Sequence, residues 1–163
     1  MKRIFLLLST ATTGQQTVNY VDLNLYAGKW YVVACIPTVF DRNWEDITET
    51  YTVNPSGSFN IYTSFRKPSG RTRTIRSKAF IDRSSGNARW KVQFVWPLRA
   101  HYWIIELADD YSYTVVGHPK KKFLYIMSRS PFMKDELLQA IIGRCSQKGY
   151  DISELRMPAH HQP

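Results

Sequence analysis

Polar and apolar residues take turns along Arg89-Trp90-Lys91-Val92-Gln93-Phe94. In an extended chain successive side chains point to opposite faces, so this segment reads as a strand with one dry face. The same period recurs where Phe59, Ile61, Thr63 and Phe65 oppose Asn60, Ser64 and Arg66, and where Ile75, Ser77 and Ala79 oppose Arg76 and Lys78. About eight β-rich runs of this kind lie between Lys29 and Arg129, near 29–37, 46–54, 58–67, 72–82, 88–96, 101–108, 111–118 and 122–129. Asn54-Pro55-Ser56-Gly57, Lys67-Pro68-Ser69-Gly70, Ser84-Ser85-Gly86-Asn87, Asp109-Asp110 and His118-Pro119 separate them, and each favours a chain reversal. The spacing predicts an all-β sandwich or barrel, which alternation alone does not distinguish.

After Arg129 the period changes. Leu137, Leu138, Ile141, Ile142 and Cys145 recur at helical spacing, with Ser130-Pro131 as a start and Gly149 as a stop. A single amphipathic helix needs one sheet surface to cover. Strands apolar on both faces supply it: Tyr31 and Val33 in the first run, Tyr113 and Val115 in the seventh, Leu124 and Ile126 in the last. A helix shared by the first and last strands makes them neighbours, which favours a closed barrel.

The chain has 163 residues, enough for one domain with a real core, and 44% hydrophobic residues argue against disorder. No apolar run approaches the roughly 20 residues of a membrane-spanning helix. The net charge of +9 asks for an anionic partner or surface. Met1-Lys2-Arg3, the apolar Ile4–Leu8 and the small, polar residues through Gly14 resemble an export signal, so residues 1–16 read as a signal peptide or an N-terminal tail. No lipoprotein-type cysteine follows that segment, so an exported chain is released rather than anchored by that route, to the periplasm or the outer membrane if bacterial. Residues 17–157 read as one domain and 158–163 as a disordered tail.

Gly28-Lys29-Trp30-Tyr31 near the start of the first run and Arg129 at the end of the last resemble the lipocalin signature, in which a G-x-W tryptophan packs under an arginine and closes the barrel floor. Asp22-Leu23-Asn24-Leu25-Tyr26, Tyr51-Thr52-Val53, Asp110-Tyr111-Ser112-Tyr113 and Ser128-Arg129-Ser130-Pro131 fall in matching order. The likeness runs from about Val21 to Ile152 and is strongest to the bacterial outer-membrane lipocalins and the apolipoprotein D group. Asp109-Asp110-Tyr111 stands where a T-D-Y triplet is usual, which is expected to alter a turn rather than the fold. The resemblance implies an eight-stranded antiparallel up-and-down β-barrel with one C-terminal α-helix outside, and a small apolar or amphipathic ligand inside: a fatty acid, a lysophospholipid or a phospholipid acyl chain. It calls for no cofactor and no metal.

Parity counted from Trp30 and from the polar faces places Val32, Tyr51, Phe59, Ile61, Thr63, Phe65, Ile75, Ser77, Trp90, Val92, Phe94, Tyr102, Ile104, Val116 and Tyr125 inward as ligand-binding positions. Glu106 falls on the same parity in the family alignment, to meet a headgroup or to pair with a base. If Trp30 marks the floor, loops one, three, five and seven surround the mouth and bring Arg42, Arg66, Lys67, Arg71, Arg73, Arg99, Lys120, Lys121 and Lys122 to a basic rim. Asp82, Arg83, Asp109 and Asp110 lie at the other end. Cys35, odd in number from Trp30, reads as outward. Its height above the floor matches that of Cys145 on the helix, so the two are expected to meet as a disulfide or as adjacent buried thiols.

Enzyme motifs such as G-x-S-x-G, a phosphate loop or H-E-x-x-H do not appear, and His101, His118, His160 and His161 lack ligand spacing. Two other classes compete with a binding protein. One is a lipocalin-fold enzyme that isomerises or de-epoxidises its ligand, which an inward cysteine, or an inward Asp or Glu beside a histidine, would favour. The other is a basic protein for nucleic acid or a membrane surface. Stacking on single-stranded nucleic acid wants rings and cations on one face, whereas Trp90, Phe94, Phe59 and Phe65 are separated by parity from Arg89, Lys91, Arg66, Arg76 and Lys78.

Overall fold

The computed structural model describes residues 16–161, so the expected signal segment falls almost wholly outside it. Eight strands, β1 (Gly28–Ile36), β2 (Glu45–Val53), β3 (Phe59–Arg66), β4 (Thr72–Asp82), β5 (Arg89–Val95), β6 (Leu98–Leu107), β7 (Tyr113–Gly117) and β8 (Leu124–Ser128), pair in sequence order as a closed antiparallel barrel. β1 closes it by pairing with β2 through Gly28–Tyr31 and with β8 through Tyr31–Ile36. In the β3–β4 register Phe59 faces Ala79 and Ile61 faces Ser77, and all four are buried. Cross-strand partners share a face, so the alternation of the sequence becomes the barrel's dry interior.

Bulges break that alternation at specific points. An extra residue lies between Val32 and Ala34 on β1 and between Ile104 and Glu106 on β6. One inserted residue moves everything beyond it to the other face. Cys35 therefore packs in the interior cluster with Trp30 and Val32, whereas Val33, Ala34 and Ile36 face the helix. Glu106 is turned out of the barrel, opposite Val115, and binds the helix instead. The expectations of an outward Cys35 and an inward Glu106 are both corrected by these single residues.

A short helix, α1 (Leu23–Tyr26), crosses the closed end, with the Asp22 carboxylate accepting from the Asn24 and Leu25 amides. The segment before it is held by Val18 N to Ile104 O at 3.0 Å and Val21 N to Gly86 O at 2.8 Å. Gly86 has φ +67, and a Cβ there would lie 1.9 Å from the Asn19 carbonyl oxygen, so only glycine admits this crossing.

The main helix, α2 (Asp135–Gln147), starts later than Ser130-Pro131. The Ser128 and Ser130 hydroxyls accept from the Ser130 and Phe132 amides in a turned connection, and Asp135 and Glu136 then favour the helix N-terminus. Leu138, Ile141, Ile142 and Cys145 pack with Val33, Ile36, Val115, Leu124 and Ile126 on the barrel's outside. Leu137, expected on that face, is exposed. Arg144 Nε donates to both Glu106 carboxylate oxygens, at 3.0 and 3.1 Å, and the Tyr113 hydroxyl donates to Oε1 at 2.9 Å.

Residues 158–161 of the expected tail lie against β1 and β2. Arg156 and Cys35 exchange backbone hydrogen bonds of 2.8 Å, Asp46 N donates to Ala159 O, and His160 Nε2 lies 2.8 Å from Val32 O. β1 leaves β2 after Tyr31, and this segment takes up groups exposed along the upper edge.

Candidate functional site

The floor is built from rings. The Arg129 guanidinium carbon lies 3.7 Å from the Trp30 ring centroid, and its nitrogens donate to the carbonyls of Leu25 (2.7 Å), Lys29 (3.0 Å) and Tyr26 (3.2 Å). Trp30 Nε1 donates to Tyr26 O at 2.9 Å. Tyr26 meets Trp30, Tyr51 and Trp90 at 5.2–5.3 Å between centroids, and Trp90 stacks on Tyr102 at 5.4 Å. Gly28, at φ +97, brings its backbone under Arg129. Tyr111, in the turn where the T-D-Y triplet is altered, keeps a floor role: its hydroxyl accepts from Asp22 N at 2.9 Å and its carbonyl from Arg129 Nε at 3.3 Å.

Above the floor, Val32, Tyr51, Phe59, Ile61, Phe65, Trp90, Val92, Tyr102, Ile104 and Val116 lie in the interior cluster, and Tyr125 packs against it. Thr63 faces Ile75 across the β3–β4 ladder, next to the inward pair Ile61 and Ser77. Ile75 shares this inner face yet is 37% exposed, near the end of β4 that lies opposite the floor. Phe94 sits at the β5 bulge and is exposed at the rim rather than buried in the lining.

Two carboxyl groups in this interior, those of Glu49 and Asp41, were not anticipated. Glu49 accepts from the Tyr51 hydroxyl and, at 3.2 Å, from the Tyr102 hydroxyl. Burial raises its pKa against those hydrogen bonds, and nearby Asp41 adds to the rise, so the neutral acid is favoured. Asp41 is itself buried and accepts from the Tyr125 hydroxyl at 2.6 Å and the Thr38 amide at 2.7 Å. The Ser77 hydroxyl is buried with no hydrogen-bond partner among the described residues. Glu49 was legible in principle, because it lies two residues from the inward Tyr51, but Asp41 belongs to a loop with no period to read.

Cys35 and Cys145 are both buried and free, in clusters on opposite faces of the barrel wall, so neither the disulfide nor the adjacent pair is formed. An inward cysteine was one feature that would favour an enzyme, and an inward acid beside a histidine was the other. Glu49 and Asp41 are inward acids, but their hydrogen-bond partners are Tyr51, Tyr102, Tyr125 and Thr38 rather than a histidine. Burial pushes the Cys35 thiol up to about 12, with Asp41 adding to the rise, and a thiol kept protonated is a poor nucleophile.

The connections 37–44, 67–71, 96–97 and 118–123 lie at the end opposite the floor. The first folds inward, where Trp44 stacks on Phe65 and Asp41 bonds Tyr125, and so roofs one side. Three of the expected rim cations are engaged on the outer wall: Arg66 with Asp46 at 2.6 Å, Arg99 over the Phe80 ring at 3.8 Å and Lys121 over the Tyr150 ring at 4.5 Å. Arg42, Lys67, Arg71, Arg73, Lys120 and Lys122 are exposed.

Comparison with known proteins agrees with this architecture. Residues 21–160 match the family model described as a lipocalin-like domain. The temperature-induced lipocalin-1 of Arabidopsis thaliana is 30% identical over 149 residues, covering 86% of this chain and 80% of that protein. The outer membrane lipoprotein Blc of Escherichia coli K12 is 30% identical over 146 residues, covering 89% and 82%. Among solved structures, insecticyanin from the tobacco hornworm Manduca sexta superposes with a TM-score of 0.73 at 17% identity over 90% of this chain and 85% of that one. A barrel closed by tryptophan and arginine, a helix on its outer wall and a match over residues 21–160 together establish that this chain belongs to the lipocalin family.

Proposed function

We propose that the protein is a non-enzymatic carrier that holds one amphipathic lipid tail-first in the barrel: a fatty acid, a lysophospholipid or one acyl chain of a phospholipid. The observation that carries this reading is the inner face of β4, which runs from exposed Ile75 through buried Ser77 to buried Ala79. The dry interior is thus entered from the mouth. Asp41 is an inner acid and, among the described residues, the interior cluster holds no basic side chain, so an anionic headgroup is disfavoured deep inside and favoured among Lys67, Arg71, Arg73, Lys120 and Lys122. Such a carrier would exchange lipid at an anionic membrane surface, and the likeness to an outer membrane lipoprotein supports export. Separation of the interior rings from the surface cations argues against nucleic acid as the partner.

Calorimetric titration with lysophosphatidylglycerols of increasing chain length tests it. Each methylene buried contributes about 0.8 kcal/mol, roughly fourfold in Kd, until the interior is filled. An affinity independent of chain length would refute tail-first burial.

A further inference from the structure

The rim carries a second pattern, in apolar residues. Phe40 and Trp96 are each 82% exposed, and Val39, Val95 and Leu98 are exposed beside them. Val39 and Phe40 belong to the β1–β2 connection, and Val95 to Leu98 form the β5–β6 turn. In a ring of eight strands these two connections are four strands apart, so they stand across the mouth from each other. The connections between them are the basic ones, with Lys67, Arg71 and Arg73 on one side and Lys120 and Lys122 on the other. Around the opening the order is apolar, basic, apolar, basic.

Single exposed apolar residues are ordinary on a protein surface. Five gathered at two opposed tips, with cations in both intervening sectors, are not. The Val39–Phe40 tip is also braced. Asp41 is tied inward to Tyr125 and to Thr38, and Phe40 N donates to the Thr38 hydroxyl at 3.3 Å, so the loop is anchored while the Phe40 ring projects outward. Acids near the rim are already engaged: Asp41 with Tyr125, Glu45 with Arg156 and Asp46 with Arg66. The free charge of this face is therefore positive.

We propose that the open end is a membrane-docking face, on which the Val39–Phe40 and Val95–Leu98 tips insert at the level of the lipid headgroups while the two basic loops contact anionic lipid. Tryptophan and phenylalanine suit that depth, and cations bring the rim to a negative surface before insertion. A second copy of this chain meeting rim to rim would oppose cation to cation in one register and cation to apolar tip in the other, which sets the bilayer apart as the occupant. Docking this way points the mouth at the membrane, and so extends the lipid-carrier reading to a route for the ligand.

Sedimentation of the full chain with phosphatidylcholine vesicles, with and without about one third phosphatidylglycerol, tests the proposal at low and high salt. The wild-type chain is expected to bind the anionic vesicles, and a brominated acyl chain in them to quench its tryptophan fluorescence. The double variant Phe40→Ser, Trp96→Ser is expected to lose roughly tenfold or more in partitioning. Its solution binding of a monomeric lysophospholipid should be unchanged. Lys120→Gln with Lys122→Gln should weaken binding at low salt only. Vesicle binding untouched by the double variant would overturn the proposal, as would a dimer that the double variant dissociates. Loss of lysophospholipid binding by an otherwise docking-competent protein would instead refute the carrier reading and leave the docking face standing.

Discussion

Arg129 shows how much one side chain does at the floor: its guanidinium lies on the Trp30 ring and meets carbonyls from Leu25, Tyr26, Lys29 and Tyr111. Such a residue is legible in sequence, because its chemistry requires a tryptophan at a set place and the G-x-W of Gly28–Trp30 supplies it. Glu49 is the opposite case. Unfolded, its carboxyl loses a proton near its ordinary value of 4.5, whereas burial keeps the folded group protonated to higher pH. The folded state then binds the extra proton, so stability is full below that value and falls as pH rises toward the folded pKa. Glu49→Gln keeps the shape and hydrogen-bond acceptor without the titration. Urea unfolding should find the variant at least as stable as wild type at pH 8, with a flatter profile between pH 5 and 8. A variant less stable than wild type at pH 8 but equal to it near pH 3 would show that the charged form is the native one.

At the scale of elements, the strands and α2 follow from period, and the departures follow from bulges. The parity rule works along β3 and β4, whose register runs unbroken from Phe59↔Ala79 to Arg66↔Thr72. It fails for Cys35 and Glu106 because one extra residue precedes each. No local residue type announced either bulge, and backbone pairing across a closing barrel is information that a single strand does not hold. The contacts of the C-terminal segment escape composition for a related reason. Pro158, Ala159, His160 and His161 look like a tail by composition, yet they meet backbone and acidic groups left open where β1 parts from β2. Burial alone would raise the Asp46 carboxyl, but Arg66 and His161 outweigh it and hold it at about 2. Native thiol labelling should therefore find Cys35 and Cys145 both slow to react, and labelling after denaturation in non-reducing buffer should find two free thiols. A chain ending at Leu155 should expose the β1 edge by local opening and speed labelling of Cys35 selectively. Equal acceleration at both cysteines would mean that the segment supports the whole barrel rather than this edge.

At the scale of the whole molecule the two ends are built differently. The floor is sealed by rings and by the crossing of the N-terminal segment, and the rim carries exposed cations beside the exposed Phe40 and Trp96. The sequence located the basic loops once the floor was known, since alternate connections of an up-and-down barrel share an end. It did not reveal that Arg66, Arg99 and Lys121 are drawn to partners on the wall, because those pairings join residues far apart in the chain. Nor did it separate the rim's apolar tips from the core, for Phe94 and Trp96 read alike until the strand ends were placed. In the proposed complex an acyl chain lies inside this barrel with its headgroup at the mouth. Isotope-filtered NMR of the labelled protein with unlabelled lysophosphatidylglycerol locates both ends of the lipid. The chain's terminal methyl is expected to show contacts to Val32, Ile47 and Val92, all in the buried interior cluster, and the glycerol protons to Ile75 and the mouth loops. Contacts of the terminal methyl confined to the rim, to α2 or to the outer wall would contradict this placement.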